Sequence, residues 1–230
     1  MQAFIDGTPS LSLADLASRT GLHKSTILRL ISSLEHEHYI SRLSNGHYQL
    51  GPTLLTLGNH YQNSFNLAEH VNPALKALVE FTSESAAFYV RDGDSKICLF
   101  RANSFHHGVL RYIQVGYRLP VTAGASGAII MAFTDLNRPD LAEVRNTMIV
   151  VSLTARLDLD TAAISCPVFG VGQHFQGALA LAGPRTRFTP TQVEKMKGHL
   201  VDAAISITHS IGGDSARLLA VKENMQHVVL

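Results

Sequence analysis

Residues 23–50, HKSTILRLISSLEHEHYISRLSNGHYQL, contain a change of hydrophobic period that decides the fold of the amino-terminal region. In residues 23–38 the apolar positions follow a helical stripe, formed by Ile27, Leu28, Leu30, Ile31 and Leu34. Residues 39–43 and 47–50 instead alternate on either side of the turn Ser44-Asn45-Gly46, a pattern typical of a β-hairpin. The stretch therefore predicts one helix followed directly by a two-stranded hairpin.

A shorter helix is predicted before this stretch. Residues 10–19 have apolar side chains near helical spacing, at Leu11, Leu13, Leu16 and Ala17, and Ser12 with Asp15 marks a helix start. Thr20-Gly21 then interrupts the pattern. Two helices around a glycine turn, followed by a hairpin, predict a winged helix-turn-helix over residues 1–51, in which the second helix reads DNA and the hairpin is the wing.

The pattern changes again beyond the hairpin. Gly51-Pro52 ends the wing, and a linker helix is expected within residues 52–66. Residues 67–212 predict an antiparallel sheet flanked by helices. The expected strands are 86–90, 97–100, 109–115, 162–169 and 176–182, and the expected helices are 67–81, 123–133 and 189–211. The chain is thus predicted to be an α+β protein, with a tail at 213–230 that is either a short helix or loose.

Composition places the chain in the globular class. Its 230 residues are 46% hydrophobic and 16% charged, which suits folded domains and excludes wholesale disorder. It has no apolar run of membrane-spanning length and no secretory signal, so we expect a cytoplasmic protein with no membrane partner. Cys98 and Cys166 lie far apart without metal-type spacing and are interpreted as reduced, buried thiols.

The start of the second helix carries the side chains that a major-groove reader needs. Ser25, Thr26 and Arg29 can share one helix face, and hydroxyls with a guanidinium suit base edges and phosphates. The residues assigned to DNA contact are His23, Lys24, Ser25, Thr26 and Arg29 in the helix and Arg42, Asn45 and His47 in the wing. The alternative is that Ser25 and Thr26 cap the helix and that Arg29 is a solvated surface charge.

Bulk charge does not by itself predict DNA binding. In residues 1–60 the four basic side chains are balanced by four acidic ones, and the whole chain has a formal net charge of +1. A dimer doubles the phosphate contacts and presents two reader helices to half-sites about one helical turn apart. We therefore expect a homodimer, or a dimer of dimers, on a near-palindromic double-stranded DNA operator.

Several stretches carry a resemblance to a known family: LADLASRTGLHKSTILRLISSLEHEHYISRLSNGHYQLGPTLLTLG, GYRLPVTAGASGAIIMAF, CPVFG and GALALAGPRTRFTP. Over nearly its whole length the chain resembles the IclR-type bacterial transcription regulators. The resemblance implies a winged-helix dimer, a linker helix, and a GAF-like effector domain with a six-stranded antiparallel sheet, controlling operons for carbon-source catabolism. It places Ser25, Thr26 and Arg29 in the reader helix. It also places residues 124–127, 152–164 and 178–182 around the effector pocket.

The sequence departs from the family pattern in three places. It begins inside the family's first helix, so residues 1–5 keep only its end, which puts the dimer contacts made there in doubt. Residues 133–144 form a shorter stretch than in typical relatives, which implies an open or reshaped effector site. Ala128 replaces a common Lys, and Ala180 and Ala182 replace Ser residues that bind carboxylates in some relatives, so a small keto acid is disfavoured.

The residues of the expected pocket suggest a ligand class. Residues 124–127 open a predicted helix whose free amides suit an anion or carbonyl, although such small residues equally suit close packing of helix on sheet. The proposed contacts are Tyr112, Gln114, Thr122, Gly124, Ala125, Ser126, Gly127, Thr154, Ala180 and Ala182, with Tyr117 nearby and an apolar wall of Phe100, Ile113, Leu179 and Leu181. Because strand side chains alternate, about half of the strand candidates must face away. The mixture suits an aromatic or hydroxylated organic acid.

Other function classes have less support. Cys166 is the nearest candidate for an enzyme nucleophile, but an apolar strand favours a buried thiol, and no cofactor is expected. The pairs His106-His107 and His36, His38 lack further ligands at metal spacing. The main alternative is an effector-binding or oligomerisation protein whose helix-turn-helix no longer binds DNA. The residues do not encode the effector, the operator sequence or the direction of regulation.

Overall fold

The computed structural model describes residues 1–63, 67–104, 113–153 and 160–227. The chain divides into two units, Met1–Phe65 and Asn66–Leu230. Among the described residues, no helix combines the length and the apolar character needed to cross a bilayer.

The amino-terminal unit has the element order of a winged helix-turn-helix. Its elements are α1 (Leu13–Thr20), α2 (Lys24–His36), β1 (Ile40–Arg42), β2 (Tyr48–Leu50) and α3 (Thr53–Asn63), after a 3-10 turn at Gln2–Phe4. Helix α1 starts at a capping box, in which the Asp15 amide donates to Ser12 Oγ at 3.1 Å and the Ser12 amide donates to Asp15 Oδ2 at 2.9 Å. Strands β1 and β2 pair antiparallel. The fold predicted for this region is confirmed.

A small apolar core holds this unit together. Its buried side chains are Phe4, Leu11, Leu16, Ile27, Ile31, Ile40 and Tyr48. Leu34 packs against this core from the same side of α2. Leu28 and Leu30 were predicted to join the buried stripe, and this was wrong, because they are 46% and 48% exposed. A unit this small has too little core to cover both flanks of a helix.

The carboxyl-terminal unit is built on a six-stranded sheet. Its strands are β3 (Ser85–Asp92), β4 (Ser95–Ala102), β5 (Arg118–Pro120), β6 (Val150–Ser152), β7 (Thr161–Phe169) and β8 (Phe175–Pro184). They follow the order β5-β4-β3-β8-β7-β6, and every pairing is antiparallel, as expected. Of the strand predicted at 109–115, residues 109–112 lie outside the described residues, and 113–115 are not in a strand.

Helices cover both faces of this sheet. Helices α4 (Ala68–Thr82) and α7 (Pro190–Ser210) pack on one face, and α5 (Gly124–Thr134) packs on the other, with α6 (Ala142–Thr147) beside it. A 3-10 turn at Pro139–Leu141 lies in the short connection between α5 and α6. The predicted α+β class is therefore confirmed for both units.

Strand side chains alternate between the two helical layers. Cys166 lies on the α7 side, where its Sγ is 3.6 Å from the Leu200 carbonyl oxygen, and its cross-strand partner Leu179 shares that side. Ala178 and Ala180 belong to the core beneath α5. Along the middle of β8, the α7 side of the sheet is thus lined by leucine and the α5 side by alanines.

The ends of this unit are held by specific contacts. Glu84 is 1% exposed, and its two carboxylate oxygens accept hydrogen bonds from the Arg187 guanidinium, each at 2.5 Å. The tail contains a further helix, α8 (Ala216–His227), which buries Leu218 completely and pairs Lys222 with Asp202 at 2.5 Å. Of the two possibilities open for the tail, the structure shows the helix.

Helix α5 approaches the preceding chain very closely at Gly127. A Cβ on Gly127 would lie 2.1 Å from the Val121 carbonyl oxygen, a backbone atom that cannot swing aside. Gly198 in α7 is the opposite case, since nothing lies within 4 Å of its Cβ position. The missing side chain at Gly127 is therefore a packing requirement.

We expect Gly127→Ala to destabilise the carboxyl-terminal unit by about 1–3 kcal/mol, because the backbone at Val121 or the start of α5 must move. Gly198→Ala is the matched control and should stabilise the unit by about 0.5–1 kcal/mol, because alanine favours the helix. Urea unfolding of the full chain, followed by circular dichroism, measures both. Equal stability of the two variants would contradict the close contact.

Candidate DNA-reading surface and effector site

The outward side of α2 is the candidate DNA-reading surface. Successive helical residues turn by about 100°, so Ser25 and Arg29 lie opposite the buried stripe, and both are exposed. Thr26 is half-buried at the edge of this side, and His23 and Lys24 are exposed at the helix start. The N-cap residue of α2 is His23, which makes no side-chain cap, and Ser25 and Thr26 lie inside the helix and do not serve as caps. This removes the capping alternative for both residues.

The balanced charge of the amino-terminal unit is unevenly distributed. Arg19 donates to Asp6 and to the Ala3 carbonyl oxygen. Hydrogen bonds from Thr8, together with those from Arg19, lower the pKa of Asp6 to about 2. The ion pairs within residues 1–63 do not include Arg29. Part of the acidic charge is thus neutralised within the unit, while Arg29 presents its charge to solvent.

Three side chains that the sequence analysis missed extend the same face. Ser32, Ser33 and His36 are exposed and follow Arg29 by three, four and seven residues. These three residues could have been predicted from the sequence, because side chains three, four and seven positions apart share a helix face. The reading surface therefore runs along most of α2 and is not confined to its first turn.

The wing holds its three predicted contact residues differently. Arg42 is exposed, and its guanidinium carbon lies 5.8 Å from the centroid of the Tyr48 ring, which restrains it against the hairpin. Asn45 Oδ1 accepts from the His47 amide at 3.0 Å, so this side chain shapes the turn. His47 is half-buried. Arg42 is therefore the wing residue that offers a charge to a phosphate.

The start of α5 is the candidate effector-binding element. Gly124 has φ +65°, and Ala123 before it provides no side-chain cap for the first helical amides. Ala125 and Ser126 are buried. Gly127 packs against the backbone of Val121 and has no room for a side chain. Gly124 and Ala125 can therefore act only through their amides.

A buried lysine that the sequence analysis did not single out lies beneath the start of α5. Lys96 of β4 is 4% exposed, and its Nζ donates to Ser126 Oγ and to the Ala123 carbonyl oxygen, both at 2.6 Å. The ammonium also lies 4.9 Å from the Tyr89 ring centroid. Burial lowers the pKa of Lys96 to about 8. The Ser126 hydroxyl, a predicted effector contact, is thus already engaged, although it can still donate its own proton.

The other predicted polar contacts are dispersed. Gln114 and Thr122 are exposed, as is Tyr117. Tyr112 and Thr154 lie outside the described residues. The described polar candidates therefore do not converge on one point.

Strand alternation divides the predicted apolar wall between the two faces of the sheet. Ala180 is 4% exposed beneath α5, Ala182 is half-buried on the same face, and Ile113 packs against the same core. The prediction was wrong for Leu179 and Leu181, which are fully buried on the opposite face. Their positions alternate with those of the alanines, so one ligand cannot contact both sets.

A β-bulge in β4 changes which of its side chains face α5. The register with β3 shifts between Phe88 and Tyr89, which leaves Leu99 as an extra residue. Phe100 therefore packs against Phe88 on the opposite face, with 6.3 Å between ring centroids, and its prediction as a pocket residue was wrong. The same shift brings Arg101 to the α5 face, where its Nε donates to Asn103 Oδ1 at 2.6 Å.

Both cysteines are buried, free thiols. Burial raises the pKa of Cys98 to about 11 and raises the pKa of Cys166 as well, which disfavours a nucleophilic thiolate at either position. Within the described ranges, no group of three or more potential metal ligands comes together. The pair His106-His107 lies outside those ranges.

Comparison with known sequences finds similarity across both units. The sequence model of the IclR helix-turn-helix domain matches residues 1–44. The HTH-type transcriptional regulator KipR of Bacillus subtilis is 27% identical, over 89% of this chain and 91% of KipR.

Solved structures share the fold. A structure described as an IclR transcriptional regulator from Silicibacter sp. matches with a TM-score of 0.77 and 25% identity, over 90% of this chain and 91% of its own. An IclR homologue from Microbacterium hydrocarbonoxydans, complexed with 4-hydroxybenzoate, matches with a TM-score of 0.78 and 20% identity, over 91% of this chain and 95% of its own. The latter likeness concerns the fold.

A winged helix-turn-helix unit, joined to a unit with a helix-flanked antiparallel sheet, defines the class of two-unit transcriptional regulators. The match of residues 1–44 to the IclR helix-turn-helix domain and the likeness of both units to IclR-type regulators support the resemblance seen in the sequence. These relatives are regulators and not enzymes, so the enzyme alternative through Cys166 is set aside.

The lowered pKa of Lys96 predicts a specific pH dependence of stability. Its folded-state pKa of about 8 lies below the ordinary lysine value, so the unfolded chain binds more protons between the two values and stability rises with pH there. We expect the difference in unfolding free energy, parent minus Lys96→Met, to increase by on the order of 2 kcal/mol between about pH 7 and pH 10. Urea unfolding at both pH values measures this difference.

An exposed lysine of the same unit provides the control for this experiment. Lys195→Met makes the same change on the surface of α7 and should leave a nearly constant difference from the parent. Parallel pH curves for the parent and Lys96→Met would show that burial does not disfavour the Lys96 ammonium.

Proposed function

We propose that this chain binds a double-stranded DNA operator and that its operator affinity changes when a small organic effector binds the carboxyl-terminal unit. DNA binding is supported by the exposed side of α2, where Ser25 and Arg29 are neighbours on the helix surface. Arg29 has no ion-pair partner within residues 1–63. Hydroxyls and a guanidinium on a reader helix match base edges and phosphates. Binding to DNA also implies a cytoplasmic location.

The proposed contacts divide into base reading and phosphate binding. Arg29 binds a base edge or a phosphate, and Ser25 and Thr26 hydrogen-bond to bases or phosphates. The proposed backbone contacts are His23, Lys24, Arg42, Asn45 and His47. Because phosphate contacts fix the register and base contacts select the sequence, Arg29 is the position at which loss of selectivity is expected.

The proposed assembly is a homodimer or a dimer of dimers. Two copies supply two reader helices and twice the phosphate contacts, which offsets the neutral charge of residues 1–60. Leu55 of α3 supports this proposal, since it is 71% exposed and offers an apolar side chain that a second copy can cover.

The proposed effector is an aromatic or hydroxylated organic acid. The uncapped amides of Gly124 and Ala125 suit an anion or a carbonyl, and Ala180 and Ala182 present small apolar side chains on the same face of the sheet. The 4-hydroxybenzoate bound by the Microbacterium homologue belongs to this chemical class. The class is also consistent with control of a catabolic operon, which we propose as the biological role.

The proposed mechanism is thermodynamic linkage. Effector binding to residues 84–212 changes the spacing of the two reader helices through residues 53–63, and operator affinity changes by the same coupling free energy that operator binding imposes on the effector. Whether this represses or activates depends on the position of the operator relative to the promoter.

The test uses fluorescence anisotropy with the DNA upstream of the protein's own gene and with a scrambled duplex. We expect Arg29→Ala to weaken binding to the upstream DNA by about 5- to 150-fold and to reduce the preference over the scrambled duplex. Arg185→Ala removes the same charge from an exposed position in the carboxyl-terminal unit and serves as the control. It should bind like the parent.

Two outcomes would count against this proposal. Unchanged affinity and selectivity of Arg29→Ala would remove α2 as the reader. Failure of the parent to prefer its own upstream DNA would favour the alternative, an effector-binding protein without DNA binding.

A further inference from the structure

Leu28 is a large apolar side chain on the surface of the reading helix α2. It is 46% exposed, and within the described side chains of the amino-terminal unit it belongs neither to the buried core nor to the residues packed against that core. Ile27 and Ile31 hold the helix on the core without it. Isolated exposed leucines are common on protein surfaces, so its location on the helix decides what it can contact.

Leu28 lies on the same side of α2 as polar residues of the reading surface. Because successive helical residues turn by about 100°, Leu28 is about 40° from Lys24 and Ser32 and about 60° from Ser25. All three neighbours are exposed. They are three or four residues from Leu28, which is the spacing at which side chains on a helix meet. Leu28 is therefore surrounded by groups that can reach a nucleic acid.

Leu30 provides a comparison on the same helix. It is 48% exposed, but it lies about 140° from Ser25 and about 40° from Thr26, which is half-buried. Leu30 is thus on the other flank of α2. The two leucines are similarly exposed, but Leu28 is the one that shares a face with Ser25.

The charges near Leu28 favour a polyanion over a second protein surface. Lys24 and Arg29 lie on either side of it around the helix, and neither forms an ion pair within residues 1–60. Glu35, a carboxylate on the Leu28 side of α2, is half-buried and lies about two turns away. Two copies that met through this face would bring like charges together, whereas DNA supplies phosphates to both cations. A duplex is therefore the occupant that the charges of this face match.

The major groove contains an apolar feature that a leucine can contact. Each base pair presents hydrogen-bond donors and acceptors there, and thymine adds its C5-methyl group. Hydroxyls and a guanidinium read donors and acceptors, whereas an aliphatic side chain gains free energy when it and a methyl group leave water together. The chemistry of Leu28 thus complements that of Ser25 and Arg29.

We propose that Leu28 contacts the C5-methyl group of a thymine in the operator and selects that base, beside the polar contacts of Ser25 and Arg29. The inference rests on the proposed binding of DNA by α2, and it names a further residue and a base that determine the specificity of that binding. Leu28 is then buried in the complex with DNA and not in the fold of the amino-terminal unit.

The experiment compares thymine with uracil, which differ only in the C5-methyl group. Fluorescence anisotropy measures the affinity of the full chain for the DNA upstream of its own gene, and for the same duplex with deoxyuridine in place of thymidine. We expect the parent to bind the thymidine duplex more tightly, by about 4-fold for one contacted methyl group and by about 16-fold for one in each of two half-sites. Leu28→Ala should bind the thymidine duplex more weakly and lose this preference. Replacing one thymidine at a time then locates the contact.

Matched variants separate a base contact from a general effect on the helix. Leu30→Ala makes the same change on the other flank of α2 and should keep the full preference for thymidine. Leu28→Met keeps an apolar side chain and should keep part of the preference. Because alanine favours helices and Leu28 is not part of the core, Leu28→Ala should fold like the parent, which its melting temperature checks.

Three outcomes would overturn the role of Leu28. They are equal affinity of the parent for the two duplexes, an unchanged preference in Leu28→Ala, and a loss of the preference in Leu30→Ala as well. If a second copy of the chain covered Leu28 instead of DNA, Leu28→Ala would keep the preference and would change the oligomeric state in analytical ultracentrifugation.

The same measurements distinguish this inference from the proposed function. If the parent prefers its own upstream DNA over a scrambled duplex but does not discriminate thymidine from deoxyuridine, the regulator proposal stands and the thymine contact is lost. If the parent shows no preference for its upstream DNA over the scrambled duplex, both proposals fail.

Discussion

The antiparallel pairing of β3 with β8 joins the two halves of the carboxyl-terminal sheet, β5-β4-β3 and β8-β7-β6. Its register sets Ala87 against Ala180 and Phe88 against Leu179, so small side chains meet on one face and large ones on the other. A slip of one residue would exchange the two faces. The large side chains pack against α4 and α7, and the small ones pack beneath α5. The packed core and the candidate effector site are therefore two consequences of one register.

The protein treats buried charges on this unit in two ways. Glu84 and Arg187 form a bidentate pair in which both charges are neutralised, as expected where burial is structural. Lys96 and Arg101 are instead held by neutral oxygens and an aromatic ring. Burying a cation without an ion-pair partner costs free energy, which agrees with the lowered pKa of Lys96.

The amino-terminal unit separates stability from function along a single helix. Ile27 and Ile31 belong to the buried core, and the opposite side of α2 does not pack against it. Arg29 is therefore available for DNA at little cost to the fold. The small size of this core also explains why Leu28 and Leu30 stay partly exposed.

Local patterns were sufficient to predict much of the fold. The helical period of residues 23–38, the Ser12 and Asp15 helix start and the Asn45-Gly46 turn predict the winged helix-turn-helix, because periodicity, caps and tight turns act within a few residues. The antiparallel sheet was predicted from strand alternation and turns, the family was predicted from a resemblance over nearly the whole sequence, and the start of α5 was identified as a candidate effector element.

The tertiary structure decided what depends on contacts between distant parts of the chain. Strict alternation in β4 would place Phe100 with Lys96 and exclude Arg101, but a bulge set by pairing with β3 reverses this. Which face of β8 meets α5 likewise depends on strands far away in the chain, and this is why Leu179 and Leu181 were wrongly placed in the pocket. The sequence by itself determined the elements and the reading helix, because these follow from neighbouring residues. Only long-range strand pairing decided which charges share a face, because side-chain direction depends on a register that no local pattern specifies.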